Sequence, residues 1–284
     1  MALRLSPHIT VMANAAQRAA KRLLHDFNEV EQLQVSVKAP SDFVSQADIR
    51  AEQTLRTELE KARPGYAFLM EESGASGSEN WAWRWVVDPL DGTTNFLHGI
   101  PHWAISIALE RRLPDGSSEI AAGLIYAPCA DEMYWAEKGA GAFVNERRLR
   151  VSGRREFKDA VFATGIPFAA VSPGRRLAFA RTLATLMPQT AGIRRFGAAA
   201  LDLAWVAAGR YDGFWELGLQ PWDLAAGMLL VREAGGFATD PGHPAGDPAG
   251  ADPRETHNIV AANPHLHPKL REAVVDGQNA ARGA

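Results

Sequence analysis

Two carboxylates, Asp88 and Asp91, stand three residues apart in WRWVVDPLDGTTNF (83–96), where an apolar run ends. Pro89 fixes one backbone torsion between them and Gly92 permits close approach of the main chain, so a rigid loop can turn both side chains to one place. Thr93 and Thr94 follow where a helix would begin, and offer backbone N–H groups and a hydroxyl to an anion. Carboxylates beside an anion site call for a cation. Hard oxygen donors with phosphate nearby favour Mg²⁺, which prefers carboxylates plus substrate oxygens to a closed protein cage. Acids end two other segments: Glu71 and Glu72 follow YAFLM, with Glu71 17 residues before Asp88, and Asp223 lies in GLQPWDLAAG, ahead of an amphipathic stretch. Each alone has an ordinary reading, as a solvated strand exit or a helix N-cap.

These acids must be carried by mixed helices and strands. Spacing predicts a first amphipathic helix over Pro7 to Asn28, and a second from QADIRAEQTLRTELEKA to Pro64-Gly65, with Ser45 and Asp48 in the outline of a capping box. YAFLM and WRWVV read as strands. PHWAISIALERR and EIAAGLIYAPCADEMYWAEKGAGAFVNERRLR read as antiparallel strands with turns at Pro114-Asp115-Gly116, Pro128 and Gly139 to Gly141. After about Ser152 strands and helices alternate, and GGFATD pairs with HNIVAAN across a Pro/Gly/Asp-rich loop. The final DGQNAARGA reads as a frayed end.

Composition narrows the function classes. With 284 residues, 46% hydrophobic and 22% charged, the chain can bury a sizeable core in one large domain or two halves. A net charge of -3 gives no basic field for nucleic acid, leaving only patches such as Arg147-Arg148 and Arg194-Arg195. The single cysteine, Cys129, forms no internal disulfide, and the N-terminus lacks the ordered regions of a signal peptide, so a cytoplasmic protein is expected. No run approaches the roughly 18 apolar residues of a membrane span. Cys129 has no evident base partner and is expected to pack. His265 and His267 are expected at a helix cap or the surface, and Trp81, Trp83 and Trp85 on one sheet face. Arg194-Arg195 fits either a dimer surface or a contact to substrate phosphate.

The strings around the acids resemble a known family. WVVDPLDGTTNF resembles the first signature of the inositol monophosphatase family and WDLAAGMLLVREAGG its second. KAPSDFVSQAD, MEESG, GAGAFVNERRL and AALDLAWVAAGRYDGFWE stand in the expected order along most of the chain. The likeness is to the bacterial inositol-1-monophosphatase type, also linked to transcription antitermination. It implies an α/β fold, a layered αβαβα sandwich of the sugar-phosphatase (inositol monophosphatase/fructose-1,6-bisphosphatase-like) type. Residues 1–151 would form an N-terminal α+β half with most metal ligands, and 152–284 a C-terminal α/β half with Asp223 and the substrate side.

Residue by residue, the resemblance implies that Glu71, Asp88, Asp91 and Asp223 hold Mg²⁺ with the main-chain carbonyl of Leu90. Gly92 and Thr93 would receive the phosphate. Asp48 would act with Thr93 on a water, Glu71 would join them in catalysis, and Lys38 would be a basic residue in a mobile loop near the metals. Gly197, Ala198, Ala199, Glu216 and Asp223 would face the alcohol half of the substrate. At Ala198 relatives commonly carry Ser or Thr, a hydroxyl this chain lacks. The implied reaction is Mg²⁺-dependent hydrolysis of a phosphate monoester, myo-inositol 1-phosphate first. Metals about 3.5–4 Å apart would bridge the phosphate, one activating a water and one stabilising the leaving alkoxide. Fructose 1,6-bisphosphate, 3′-phosphoadenosine 5′-phosphate and histidinol phosphate are alternative substrates. A non-catalytic place in an RNA-polymerase antitermination complex is a different class of role. A homodimer inhibited by Li⁺, with no direct DNA contact and no membrane, completes the expectation.

Overall fold

The computed structural model describes residues 5–29, 35–39, 42–167, 172–243 and 251–282, with the backbone alone for 35–39, 42–45 and 282. Helix α1 (Pro7–Asn28) starts where spacing places it. The Ser6 side chain accepts from the Ile9 amide, Pro7 fills the first turn, and Ile9, Met12, Ala16, Ala19, Ala20 and Leu23 form the buried stripe. A hairpin of β1 (Val35–Ala39) and β2 (Asp42–Ser45) leads into α2 (Gln46–Ala62), which buries Ala47, Asp48, Ala51, Leu55 and Leu59. The capping-box expectation at Ser45 falls on a side chain outside the described set.

Eight strands form the first sheet: β3 (Ala67–Met70), β4 (Gly74–Ser76), β5 (Trp83–Asp91), β6 (Ala104–Arg112), β7 (Ser118–Ala127), β8 (Glu132–Glu137), β9 (Gly141–Val144) and β10 (Arg147–Arg148). Their spatial order is β10-β9-β8-β7-β6-β5-β3-β4, and only β3 and β5 run parallel. A one-turn helix α3 (Thr93–Leu97) follows β5. The second sheet combines β11 (Val161–Thr164), β12 (Gly192–Arg194), β13 (Gly213–Leu217), β14 (Phe237–Thr239) and β15 (Asn258–Ala262) in the order β12-β11-β13-β15-β14. Between these strands run α4 (Pro173–Leu186), α5 (Ala199–Ala207), α6 (Pro221–Glu233) and α7 (Pro253–Thr256), and α8 (His267–Arg282) ends the described chain.

Strand alternation sorts the side chains into three cores, and the cores define five layers. Trp85 and Val87 of β5, with Ile105, Ile107 and Leu109 of β6, face α1 and α2. Val86, Ala104 and Ala108 point the other way onto α5 and α6, which also receive Ala163, Phe214, Ile259 and Ala261 from the second sheet. Phe162, Trp215, Val260 and Ala262 face outward onto α4 and α8 through Leu186, Leu270 and Val274. The order α, β, α, β, α is therefore the expected sandwich. Because α5 and α6 lie between two sheets, they are buried nearly all round and show no polar face. Close approach there depends on glycine. A Cβ on Gly227 of α6 would lie 2.5 Å from the Leu203 Cβ of α5.

Three expectations need correction. Trp81 precedes β5 and sits under Arg84 and Arg112, so only Trp83 and Trp85 share the strand face. Cys129 is exposed, because the segment after Pro128 bends out as a short 3-10 turn. His267 is fully buried, with Nε2 3.0 Å from the Thr239 hydroxyl. Among the described residues no helix is long and apolar enough to cross a membrane.

Candidate active site

The acids gather at the carboxyl ends of the parallel pair β3 and β5, where crevices of open α/β sheets bind ligands. Regular alternation would send Asp88 and Asp91, three residues apart, to opposite faces of β5. The β5–β6 ladder instead pairs Asp88 with Ser106 and Asp91 with Ala104, so one residue is extra on the β5 side. Pro89, which has no N–H to give, lies in this bulge. After it Leu90 returns to the core under α1 and α2, and both aspartates face the middle helix layer. The Asp88 carboxylate accepts the Leu90 N–H at 2.9 Å, and Asp91 Oδ2 accepts the Ala200 N–H of α5 at 2.8 Å.

Gly92 leaves the strand at φ 93°, where a Cβ would meet the His102 carbonyl at 2.9 Å, so the position demands glycine. Thr93 starts α3, and its hydroxyl lies 3.3 Å from Asp48 Oδ2 and 3.0 Å from the Leu90 carbonyl. Asp48 comes from the first turn of α2 and is buried. Glu71 follows β3, with its N–H on the Val87 carbonyl at 3.2 Å. Asp223 belongs to the first turn of α6 and does not precede it. The helix begins at Pro221, and Gln220 and Asp223 form a capping box in which the Gln220 N–H reaches Asp223 Oδ2 at 2.7 Å. The structural role and the proximity to the other acids coexist in one carboxylate.

Electrostatics shows that these side chains converge. Burial, and then the charges of Glu71, Asp91, Asp223 and Asp48, push the Asp88 carboxyl well above the usual carboxylate range. Burial and Asp91, then Glu71 and Glu216, raise Asp223 against the pull of the Gln220 N–H. Asp91 is pushed up to about 6 by burial, against the lowering by N–H groups of Ala200, Leu201 and Ala199 at the α5 N-terminus. Among the described residues no lysine or arginine offsets the charge on Asp88, Asp91 or Asp223. Such a donor set fits a hard divalent cation. Oxygens of Asp48, Glu71 and Glu72 all lie within 4.8 Å of one another, a group that could hold a metal ion. Glu72 therefore joins the expected acids. Its place with Glu71 at the exit of YAFLM is the sequence signal for it, although the family resemblance assigns a metal-binding role to Glu71 alone.

On the far side, Glu216 of β13 folds over Gly165, where a Cβ would lie 1.8 Å from its Oε1. Burial and Asp91 push Glu216 up to about 8, and Arg195 opposes this. Gly197 takes φ 80°, and a Cβ there would lie 2.9 Å from Arg195 Nη1, which places that guanidinium beside the Glu216 end of the site. Ala198 is the buried N-cap of α5 with no side-chain cap bond, and Ala199 opens the helix. The structure thus brings Asp48, Glu71, Asp88, Leu90, Asp91, Thr93 and Asp223 into one network, with Gly92, Gly197, Ala198, Ala199 and Glu216 along its edge. Lys38 lies on β1, and its side chain is outside the described set. Asn95 goes unmarked by motif spacing. Its Nδ2 donates to the His102 carbonyl at 2.7 Å and the Phe196 carbonyl at 2.8 Å, tying α3 to the segment that carries Gly197.

Comparison with known proteins gives the family and the fold. Inositol-1-monophosphatase of Mesorhizobium japonicum is 52% identical over 266 residues, 94% of this chain and 95% of that protein. Nus factor SuhB of Pseudomonas aeruginosa is 44% identical across 83% of this chain and 86% of its own. The crystal structure of extragenic suppressor protein suhB from Bartonella henselae superposes with a TM-score of 0.86 at 52% identity, covering 95% of this chain and 98% of that one. The Thermotoga maritima IMPase gives 0.80 at 28%, covering 96% and 98%. The model of the inositol monophosphatase family matches residues 4–279, and the chain belongs to that family.

Proposed function

We propose that the protein is a Mg²⁺-dependent phosphoric monoester hydrolase acting on myo-inositol 1-phosphate, working in the cytoplasm as a homodimer. The observation that carries this reading is the convergence of Asp88, Asp91 and Asp223 beside Asp48 and Glu71, with Asp91 raised by burial and Asp88 and Asp223 raised by burial and by the charge of their neighbouring carboxylates. Glu71, Asp88, Asp91, Asp223 and the Leu90 carbonyl would hold the metal. Bound there, Mg²⁺ supplies charge neutralisation of the phosphate and a lowered pKa for an attacking water.

The chain's own groups do the rest. N–H groups of Gly92 and Thr93 at the start of α3 orient the phosphate. Thr93 Oγ1 has one proton and two acceptors, Asp48 Oδ2 and the Leu90 carbonyl. Of these two acceptors only the carboxylate can take up a proton, so Asp48 is the one that receives it. The hydroxyl then passes its proton to Asp48 while taking one from the attacking water. Water attacks phosphorus in line, the P–O bond to the alcohol breaks, and the alkoxide leaves with a proton from solvent, so no phosphoenzyme forms. Gly197, Ala198, Ala199 and Glu216 would line the alcohol side.

A phosphate-release assay tests this, with inositol 1-phosphate, fructose 1,6-bisphosphate, 3′-phosphoadenosine 5′-phosphate and histidinol phosphate, each with and without Mg²⁺ and Li⁺. Release that needs Mg²⁺, falls with Li⁺ and is fastest from inositol 1-phosphate is expected. Equal or faster release from the adenosine nucleotide overturns the substrate. A second reading, membership of an RNA-polymerase antitermination complex, rests on the 44% identical relative named Nus factor SuhB. Rescue of a deletion strain by an inactive Asp91→Asn protein would favour it.

A further inference from the structure

Leu217 ends β13 and Pro221 begins α6, so Gly218, Leu219 and Gln220 alone link the strand of Glu216 to the helix of Asp223. Most of what holds this link comes from one residue. The N–H groups of Gly218 and Leu219 both donate to the His257 carbonyl, at 2.6 and 2.9 Å. The His257 Nδ1 lies 2.7 Å from the Leu219 carbonyl. A carbonyl only accepts, so this ring nitrogen carries the proton and His257 grips both the amide and the carbonyl of Leu219.

His257 itself occupies an unusual place. It caps the C-terminus of α7 at φ 63° and ψ 18°, a left-handed conformation that glycine takes at helix ends without strain. A histidine there carries a conformational cost that glycine avoids. The imidazole contact to Leu219 is what glycine could not supply. Behind it, α7 is braced on the first sheet. The Arg254 guanidinium engages both Asp252 oxygens, Glu110 Oε1 at 2.6 Å and the Ser118 carbonyl at 3.2 Å. Glu110 is 2% exposed on β6 and also holds Arg84 Nε at 2.7 Å. The strut therefore runs from β6 and β7 through α7 to the 218–220 link.

We propose that His257, braced by Arg254, is a positioning residue that keeps the carboxylates of Glu216 and Asp223 in register with those on β5. It acts through the link and touches neither substrate nor cation. The proposal rests on reading Asp223 as a metal ligand. Residues that orient ligands from behind change metal affinity or activity by about 10–100-fold when lost.

The test compares His257→Gly and His257→Asn with the wild-type full chain. Glycine keeps the left-handed backbone and the carbonyl acceptor while removing the imidazole. Asparagine tolerates the same backbone and restores an amide donor. Mg²⁺ affinity is read by titration calorimetry, stability by metal-free thermal unfolding, and turnover by kcat and KM for inositol 1-phosphate. His257→Gly should bind Mg²⁺ roughly tenfold more weakly and lose kcat more than KM changes, with a metal-free Tm within a few degrees of wild type. His257→Asn should recover part of both. Wild-type Mg²⁺ affinity in His257→Gly, or a fall in Tm with affinity unchanged, overturns the proposal. Should His257→Gly not fold, Arg254→Lys, which loses the fork to Asp252 and Glu110, carries the same outcomes. A wild-type chain that binds no divalent cation instead overturns the functional reading, a result distinct from wild type and variant binding alike.

Discussion

Asp91 combines two tasks in one side chain: it faces the other acids and it holds the first amides of α5. Replacing it by asparagine keeps an oxygen for the Ala200 N–H and removes the charge. The Asp91→Asn protein should therefore fold while losing roughly 4 kcal/mol of transition-state stabilisation, about a thousandfold in kcat, measured by phosphate release at saturating Mg²⁺. Ala198 makes the opposite case, since it stands at the N-cap of α5 with a methyl and no side-chain bond to the helix. Ala198→Ser should supply the missing cap, adding about 1 kcal/mol and raising Tm by about 2–4 °C in thermal unfolding. At this scale the sequence was most legible where acids stand in long motifs, as with Asp88, Asp91 and Asp223. It was least legible for Glu72 and Asn95, whose roles follow from which segment folds beside them. His267 is buried against expectation because Thr239, far from it in sequence, supplies a partner that a histidine near a helix start does not reveal.

The elements are legible in the sequence to unequal degrees, for physical reasons. Helix α1 shows its buried stripe, so periodicity found its ends. Helix α6 hides its orientation by being apolar all round, and its start lies two residues before Asp223. The signal was there, since Pro221 suits the first helical position and Gln220 with Asp223 forms a capping box. Hairpin β1–β2 and strand β4 are too short for alternation to mark. The α5–α6 contact yields a further test. Gly227→Ala would gain helix propensity but drive its methyl against Leu203, whose Cβ cannot swing away. Overpacking should dominate, costing about 1–3 kcal/mol and lowering Tm by several degrees in scanning calorimetry.

For the whole molecule, the acid cluster couples folding to pH and to metal. Asp91 ionises near 6 in the folded chain, and Asp88 and Asp223 are raised as well, whereas an unfolded aspartate ionises near ~3.9. Between those values the native state binds more protons than the unfolded state. The stability these groups contribute is full below the unfolded pKa and is lost as pH rises through the folded one. Metal-free Tm should therefore fall as pH rises from about 5 to 7.5. Saturating Mg²⁺ should remove most of that slope. A metal-free Tm that climbs over this range would contradict the picture.

The bulge at Pro89 has a consequence for how this chain can vary. The bulge decides which layer Asp91 serves: paired one-to-one with β6, the same three-residue interval would swing a charge into the aromatic layer beneath α1 and α2. Surface loops of a fold tolerate insertions and deletions, but here count and pairing are locked together, and a residue can be lost only if the irregular step in the ladder goes with it. Any change of count on β5 must therefore be matched by a change in how it pairs with β6.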